Sequence, residues 1–452
     1  MDLLLFVIGV VFIFLKRYEF VLIIILALYT AFFLLGDNSA EFPLTHNVSD
    51  TGIILFALLL VSVYRFKSET YYYPILDKLK MPLLAFGIFL YLATFWDLFQ
   101  TNNFLWVIKT SRHWIALFMT IPMLSYFSPE VYEKALKYIF YITVVGSVLI
   151  LLDHALGTEL LGEKAEIKYT ATGEEYSRGA IPSTFTVFYI FLLLTDYWKT
   201  VWNLKPWVKN LCLIILFATV VVSLIRSMIF SVLLGMGVLL YRTGKITLRQ
   251  IPQIILSFVV IAAVLFNSAG FQDRMQQGMT EMTTSVAAER YGLPDREVKG
   301  NMSFRLAILL ERAEYVGDDI ELILWGIGNI PDEFFPEIFK IGLPNIETGK
   351  PTQLDTADIS WPLLVLRLGY LGTFLFLFFL MRCLKVSLSV KSPFGSVIYV
   401  YFVVQYLLLS FTGSYTAIGF NYMFLFMLFI LMEAYEDTTV EESIPTTPTT
   451  VV

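Results

Sequence analysis

The run Pro362-Leu-Leu-Val-Leu-Arg-Leu-Gly369-Tyr-Leu-Gly372-Thr-Phe-Leu-Phe-Leu-Phe-Phe-Leu-Met381 carries a single charge, Arg367, in an otherwise apolar stretch. A helix rises ~1.5 Å per residue, so about 20 apolar residues match a hydrocarbon core of about 30 Å. Backbone in lipid must satisfy its own hydrogen bonds, and a barrel strand would alternate apolar with polar residues, so this run predicts a membrane-spanning helix. Outward from it, Val397 to Phe411 on one side and Ile251 to Phe266 on the other have the same character, with charges gathered between them.

The composition agrees. Of 452 residues 57% are hydrophobic, 16% aromatic and 15% charged, where soluble proteins carry about 25% charged residues. Lipid is the solvent this chain is built for. A net charge of −6 without any Lys/Arg-rich block gives no reason to expect nucleic acid as a partner. Cys212 and Cys383 are too few and too far apart for a disulfide framework, and His46, His113 and His154 are too scattered to argue for zinc. The first apolar run lacks a basic leader and a small-residue cleavage site, and reads as a retained span.

Spans are expected near 2–15, 18–35, 52–64, 82–99, 113–127, 137–153, 184–198, 210–224, 227–241, 251–267, 360–381, 395–412 and 417–434. Lys16-Arg17, Arg65 to Lys80, Lys134 to Lys137, Lys199 to Lys209, Arg242 to Arg249 and Arg382 to Lys391 then fall on one side, which the distribution of basic residues makes cytoplasmic. The opposite connections differ: Gly36 to Asp50 has no Lys or Arg, and His154 to Ser183 is long and rich in Glu. The expected fold is therefore an all-α polytopic membrane helix bundle of 12–13 spans with a large extracytoplasmic loop. It divides into membrane helices over 1–267, a loop domain over 268–357, C-terminal membrane helices over 358–435 and a disordered, acidic Thr/Pro-rich cytoplasmic tail over 436–452.

The loop is roughly 90 residues long where connections usually take about 4–6, and long ordered loops often carry function. Within it Ser303 to Val316 has helical periodicity, and Trp325-Gly326-Ile327-Gly328-Asn329 reads as a turn ending an apolar stretch. Gly235-Met-Gly237 sits inside a span, where small residues permit close packing of helices.

Few residues carry chemistry. Arg226, in Ser223-Leu-Ile-Arg226-Ser, stands between two apolar runs, where a guanidinium needs an anion or water. A lipid-linked diphosphate would match its planar fork, and a structural ion pair or a helix-end carbonyl would serve equally well. Arg178, before the span that opens at Thr184, and Arg305, on the loop helix, could approach the same outer surface, or be solvated or snorkelling side chains. Lys109 and Arg112 are weaker candidates of the same kind. Asp358, in Asp355-Thr-Ala-Asp-Ile-Ser-Trp-Pro, could take a proton from a sugar hydroxyl or could cap the helix that follows, and Asp355 competes for either role.

The order of these features resembles the O-antigen ligase and O-antigen polymerase superfamily, bacterial membrane glycosyltransferases that use undecaprenyl-diphosphate-linked glycans. The likeness covers roughly residues 178–372. Arg178-Gly-Ala-Ile-Pro resembles the Arg-containing entry to the family's middle helix pair, and Ser223-Leu-Ile-Arg226-Ser resembles its Ser-Arg turn. Arg305 followed by Leu324-Trp-Gly326-Ile-Gly328 is similar to its loop arginine and Gly-x-Gly turn, and Asp358 to Gly372 is similar to its last outer segment. Ligases usually carry His where this chain has Asp358, so the likeness is closer to capsule and O-antigen polymerases.

The resemblance implies a GT-C-like fold and a metal-independent, inverting transfer of a growing lipid-linked glycan onto a sugar hydroxyl of the next lipid-linked repeat unit, without a cofactor. It implies Asp358, Arg305 and Arg226 as catalytic residues, and Arg178, Arg226 and Arg305 as the diphosphate clamp. The implied partners are the undecaprenyl-diphosphate-linked oligosaccharide, the lipid bilayer and a chain-length regulator. The implied location is the bacterial inner membrane, with the active site facing the periplasm. A ligase acting on a lipid or protein acceptor and a lipid-linked glycan flippase are the competing readings.

Overall fold

The computed structural model describes residues 2–30, 48–66, 70–101, 103–157, 166–169, 175–178, 183–195, 202, 204–245, 301–328, 335, 339–341, 359–390, 392–413 and 415–441. The expected span 251–267 and Asp358 lie outside the described residues.

The first six helices are α1 (Asp2–Phe14), α2 (Tyr18–Tyr29), α3 (Val48–Phe66), α4 (Pro74–Thr101), α5 (Phe104–Leu124) and α6 (Pro129–Leu156). A short antiparallel hairpin follows, β1 (Glu166–Tyr169) with β2 (Glu175–Arg178), and is the exception to helix among the described residues. Then come α7 (Thr184–Leu194), α8 (Pro206–Val222), α9 (Arg226–Arg242), α10 (Asn301–Gly317), α11 (Ile320–Trp325), α12 (Ser360–Ser389), α13 (Pro393–Phe402) and α14 (Tyr422–Glu441). By length and composition five stretches can cross a membrane: Val48–Phe66, Pro74–Gln100, Pro129–Leu156, Ser360–Ser389 and Pro393–Phe411. Six more are apolar but shorter, among them Asp2–Phe14 and Tyr18–Tyr29.

Several expected boundaries move, α4 opening at Pro74 instead of 82 and α12 ending at Ser389 instead of 381 among them, and two further departures concern the last helices. The helix expected over 395–412 is regular only through Phe402. It continues as a π-helical segment, Val403–Leu408, and a 3-10 turn, Leu409–Phe411, before further 3-10 turns at Tyr415–Ala417 and Gly419–Asn421. Such backbone leaves carbonyls outside a helical ladder, and side chains take them. Thr416 Oγ1 donates to Tyr406 O at 2.7 Å, Asn421 Nδ2 to Tyr415 O at 2.9 Å, Tyr406 Oη to Asn421 O at 2.8 Å and Tyr422 Oη to Thr416 O at 3.0 Å. The second shift is at the C-terminal end, where α14 runs through Glu441 into the segment expected to be tail.

Helix ends that the charge map assigns to one face meet one another. On the basic face Tyr71 N–H donates to Ser125 O at 2.6 Å, Ile75 N–H to Glu433 Oε1 at 2.9 Å and Lys245 Nζ to Leu194 O at 3.0 Å. On the opposite face Thr51 Oγ1 bonds Asp2 Oδ2 at 3.1 Å, Ser360 Oγ donates to Gly413 O at 2.7 Å and Trp361 Nε1 to Ser410 Oγ at 3.1 Å.

Aromatic rings fill the interior. Phe188, Tyr401 and Phe424 contact edge to face at 5.3–6.0 Å between centroids, and Phe86, Trp114 and Phe376 form a second such group. Gly235 serves the packing role expected of it: a Cβ there would lie 2.5 Å from Phe191 and 2.8 Å from Val404, whereas Gly237 faces open space.

Candidate functional site

Two glycine motifs far apart in sequence fold onto each other. α11 ends at Gly326 with φ 67° and ψ −160°, and α12 is broken at Gly369 with φ 65° and ψ −174°. Both lie in a region of backbone space open essentially to glycine alone. A Cβ on Gly326 would come 2.5 Å from Gly369 N, and one on Gly369 would come 2.6 Å from Leu322 O and 2.7 Å from Gly326 N. Main chain thus packs on main chain. Ile327 N–H donates to Leu366 O at 2.8 Å, Trp325 stacks on Phe89 of α4 at 5.7 Å, and Tyr370 Oη donates to Ala313 O of α10 at 2.6 Å. The short helices α10 and α11 are held on the broken half of α12 and on the C-terminal half of α4.

The turn also reaches Asp97, on the last turns of α4. Asp97 is 2% exposed, and a Cβ on Gly328, whose φ is 72°, would overlap its carboxylate. Beside this contact a cavity of about 90 Å³ is lined by Trp96, Asp97, Gln100, Glu321, the Gly326–Ile327 backbone and Phe335. Nothing in the sequence marks Asp97, because it sits in an apolar run without a charged pattern around it; its approach to Gly328 brings it into the site.

The expected arginines fall as follows. Arg226 is the first residue of α9 and follows a tight turn in which Leu224 has φ 52°, a left-handed conformation that costs a non-glycine residue ~1–2 kcal/mol. Ser223 Oγ closes that turn by donating to Val220 O at 2.7 Å. Arg305 is half-buried on α10. Arg178 ends β2, and the hairpin register sets it opposite Glu166; its side chain lies outside the described residues. The helices that bear Arg226 and Arg305 are linked indirectly: α9 and the first turn of α12 both pack on the 409–413 segment, and the middle of α12 carries α10 and α11.

Arg112, a weaker candidate, pairs with Asp50 through Nε at 2.7 Å, a structural ion pair between α5 and α3. The N-cap of α12 is Ile359, which makes no side-chain cap bond, so the cap position falls one residue after Asp358.

Arg312, on α10, is fully buried. It pairs with Glu311 and lies 3.9 Å from the centroid of the Phe339 ring. Glu311 in turn accepts from the Lys340 and Ile341 amides at 2.8 and 3.1 Å. This pair fastens 339–341 to α10. Among the described residues no three His, Cys, Asp or Glu side chains come together as a metal site.

No protein-family model matches the chain, and no curated protein matches it.

Proposed function

We propose that this chain is a membrane glycosyltransferase that polymerises a surface polysaccharide, moving an undecaprenyl-diphosphate-linked glycan onto a sugar hydroxyl of another lipid-linked repeat unit. The observation that carries the reading is the docking of Gly326-Ile327-Gly328 on the Gly369 break. Each of the two motifs resembles a separate segment of the O-antigen ligase and O-antigen polymerase superfamily, and together they form one backbone contact that anchors α10 and α11 on α12 and α4.

In the reaction the acceptor oxygen attacks the anomeric carbon as the bond to the diphosphate oxygen breaks. The electron pair leaves with the diphosphate, and the hydroxyl proton passes to Asp358. Negative charge grows on the departing diphosphate, where Arg226 and Arg305, assisted by Arg178, stabilise it; fixed guanidinium forks need no reorganisation at that moment. The site faces the non-cytoplasmic side of a bacterial inner membrane.

The test is incubation of the purified chain with a synthetic lipid-linked repeat unit. A ladder of products is expected. A single transfer to a different acceptor would assign a ligase, and unchanged lipid moved between leaflets a flippase. Arg226→Ala should lower ladder formation at least ~100-fold, the scale set by losing one charge-stabilising donor, with insertion unchanged. Full turnover in that variant would remove Arg226 from the mechanism.

A further inference from the structure

The cleft between the end of α4 and the loop helices has a lining that the diphosphate chemistry does not use. Trp96 is 37% exposed and stands with Phe335 among the cleft-lining residues, alongside the carboxylates of Asp97 and Glu321 and the amide of Gln100. Each type of side chain has a distinct partner. An indole face takes the apolar C–H face of a pyranose ring. Carboxylates accept from neutral hydroxyls in charge-assisted bonds, which are shorter and roughly twice as strong as neutral ones. The Gln100 amide both donates and accepts, as a sugar hydroxyl does.

A volume of about 90 Å³ holds several waters. That suffices for the hydroxyl-bearing edge of one ring, with the rest of the ring outside on Trp96. The exposed Glu321 carboxylate also sets a sign, since a uronic acid or other anionic sugar would meet like charge there.

We propose that this cleft binds a neutral hexose or N-acetylhexosamine by its hydroxyl edge. On the glycosyl-transfer reading above, on which this assignment of its role rests, the cleft is the acceptor-sugar subsite. Trp96 and Glu321 are binding residues in it, and Gly328 is the residue that lets the loop close on Asp97.

The test has two arms, both on the full chain in lipid nanodiscs. In the first, saturation-transfer NMR is read with the methyl glycosides of glucose, galactose and N-acetylglucosamine, and with glucuronate. Transfer to the ring protons of at least one neutral glycoside is expected, with none to glucuronate. The signal should fall fivefold or more in Trp96→Leu and in Glu321→Gln, two variants at exposed positions whose thermal midpoints should match the parent. Absence of transfer from every neutral glycoside overturns the proposal, as does full transfer in both variants.

In the second arm, a lipid-free acceptor oligosaccharide is varied at fixed lipid-linked donor. Both variants should raise the acceptor KM about tenfold and leave kcat and the donor KM within twofold. An unchanged acceptor KM with normal turnover overturns the subsite and spares the enzyme. Sugar binding in the first arm without any transfer in the second keeps the cleft and removes the glycosyltransferase.

Discussion

Gly328 is constrained twice, by a φ of 72° and by the Asp97 carboxylate lying where a Cβ would go. The left-handed conformation alone costs an L-residue ~1–2 kcal/mol, and the overlap with a buried carboxylate adds to it. Gly328→Ala is therefore expected to lower the thermal midpoint and to depress glycan transfer more than Gly237→Ala at the open position, a comparison made by melting and product assay on the two variants. Arg312 is a case of the opposite kind, a large charged side chain sealed in protein. Removing one member of a buried ion pair costs ~3–5 kcal/mol, and Glu311 keeps its amide partners, so Arg312→Ala should cost toward the lower end. Limited proteolysis would show it as faster cleavage near 339–341. Neither residue's importance is legible in the sequence. Arg312 reads as one more polar position on an amphipathic helix, because its burial comes from Phe339, a ring more than 20 positions away that no periodicity connects to it.

At the level of elements, the apolar runs 360–381, 137–153 and 52–64 predict helices there, since long apolar runs have few other stable forms in lipid. What the runs do not carry is the quality of the helix. The break at Gly369 and the π and 3-10 backbone after Phe402 lie inside unbroken apolar stretches, and are decided by partners outside them: Leu322 and Gly326 in one case, Thr416 and Asn421 in the other. The 166–178 hairpin was equally hidden, its four-residue strands being too short and too polar to show alternation. The loop helices give a pH test of their own docking. Tyr315 of α10 sits edge to face on Phe335 and Phe339. Burial, with a smaller contribution from Asp319, pushes its phenol above the ordinary value of 10.0. The unfolded phenol loses its proton first as pH rises, so the stabilisation of the docked loop is complete below pH 10 and fades as pH climbs through the folded value. Once the base-catalysed intrinsic rate is divided out, hydrogen exchange in α10 should accelerate as pH rises above 10 in the parent, and Tyr315→Phe should remove that step; an identical residual acceleration in both would place its origin elsewhere.

For the whole molecule, the question is which way the bundle sits in the bilayer, since only one orientation puts the Gly326–Gly328 turn where a translocated, lipid-linked glycan can reach it. The contacts group helix ends into two faces, one holding Tyr71, Ser125 and Glu433, the other Asp97, Ser360 and Gly328. Alternation alone does not distinguish the two, whereas the basic residues from Arg65 to Lys80 predict a cytoplasmic first face. The two native thiols are buried, Cys212 at 8% and Cys383 at 0% exposed, so a membrane-impermeant maleimide should label the parent weakly. Tyr72, 74% exposed beside the first face, and Glu321, exposed beside the cleft, are suited to reporting thiols. Glu321→Cys should be labelled in intact spheroplasts and Tyr72→Cys only in inverted vesicles. Labelling of both from the same side would break the two-faced arrangement, and the reverse pattern would turn the loop toward the cytoplasm, where it could not meet an exported glycan.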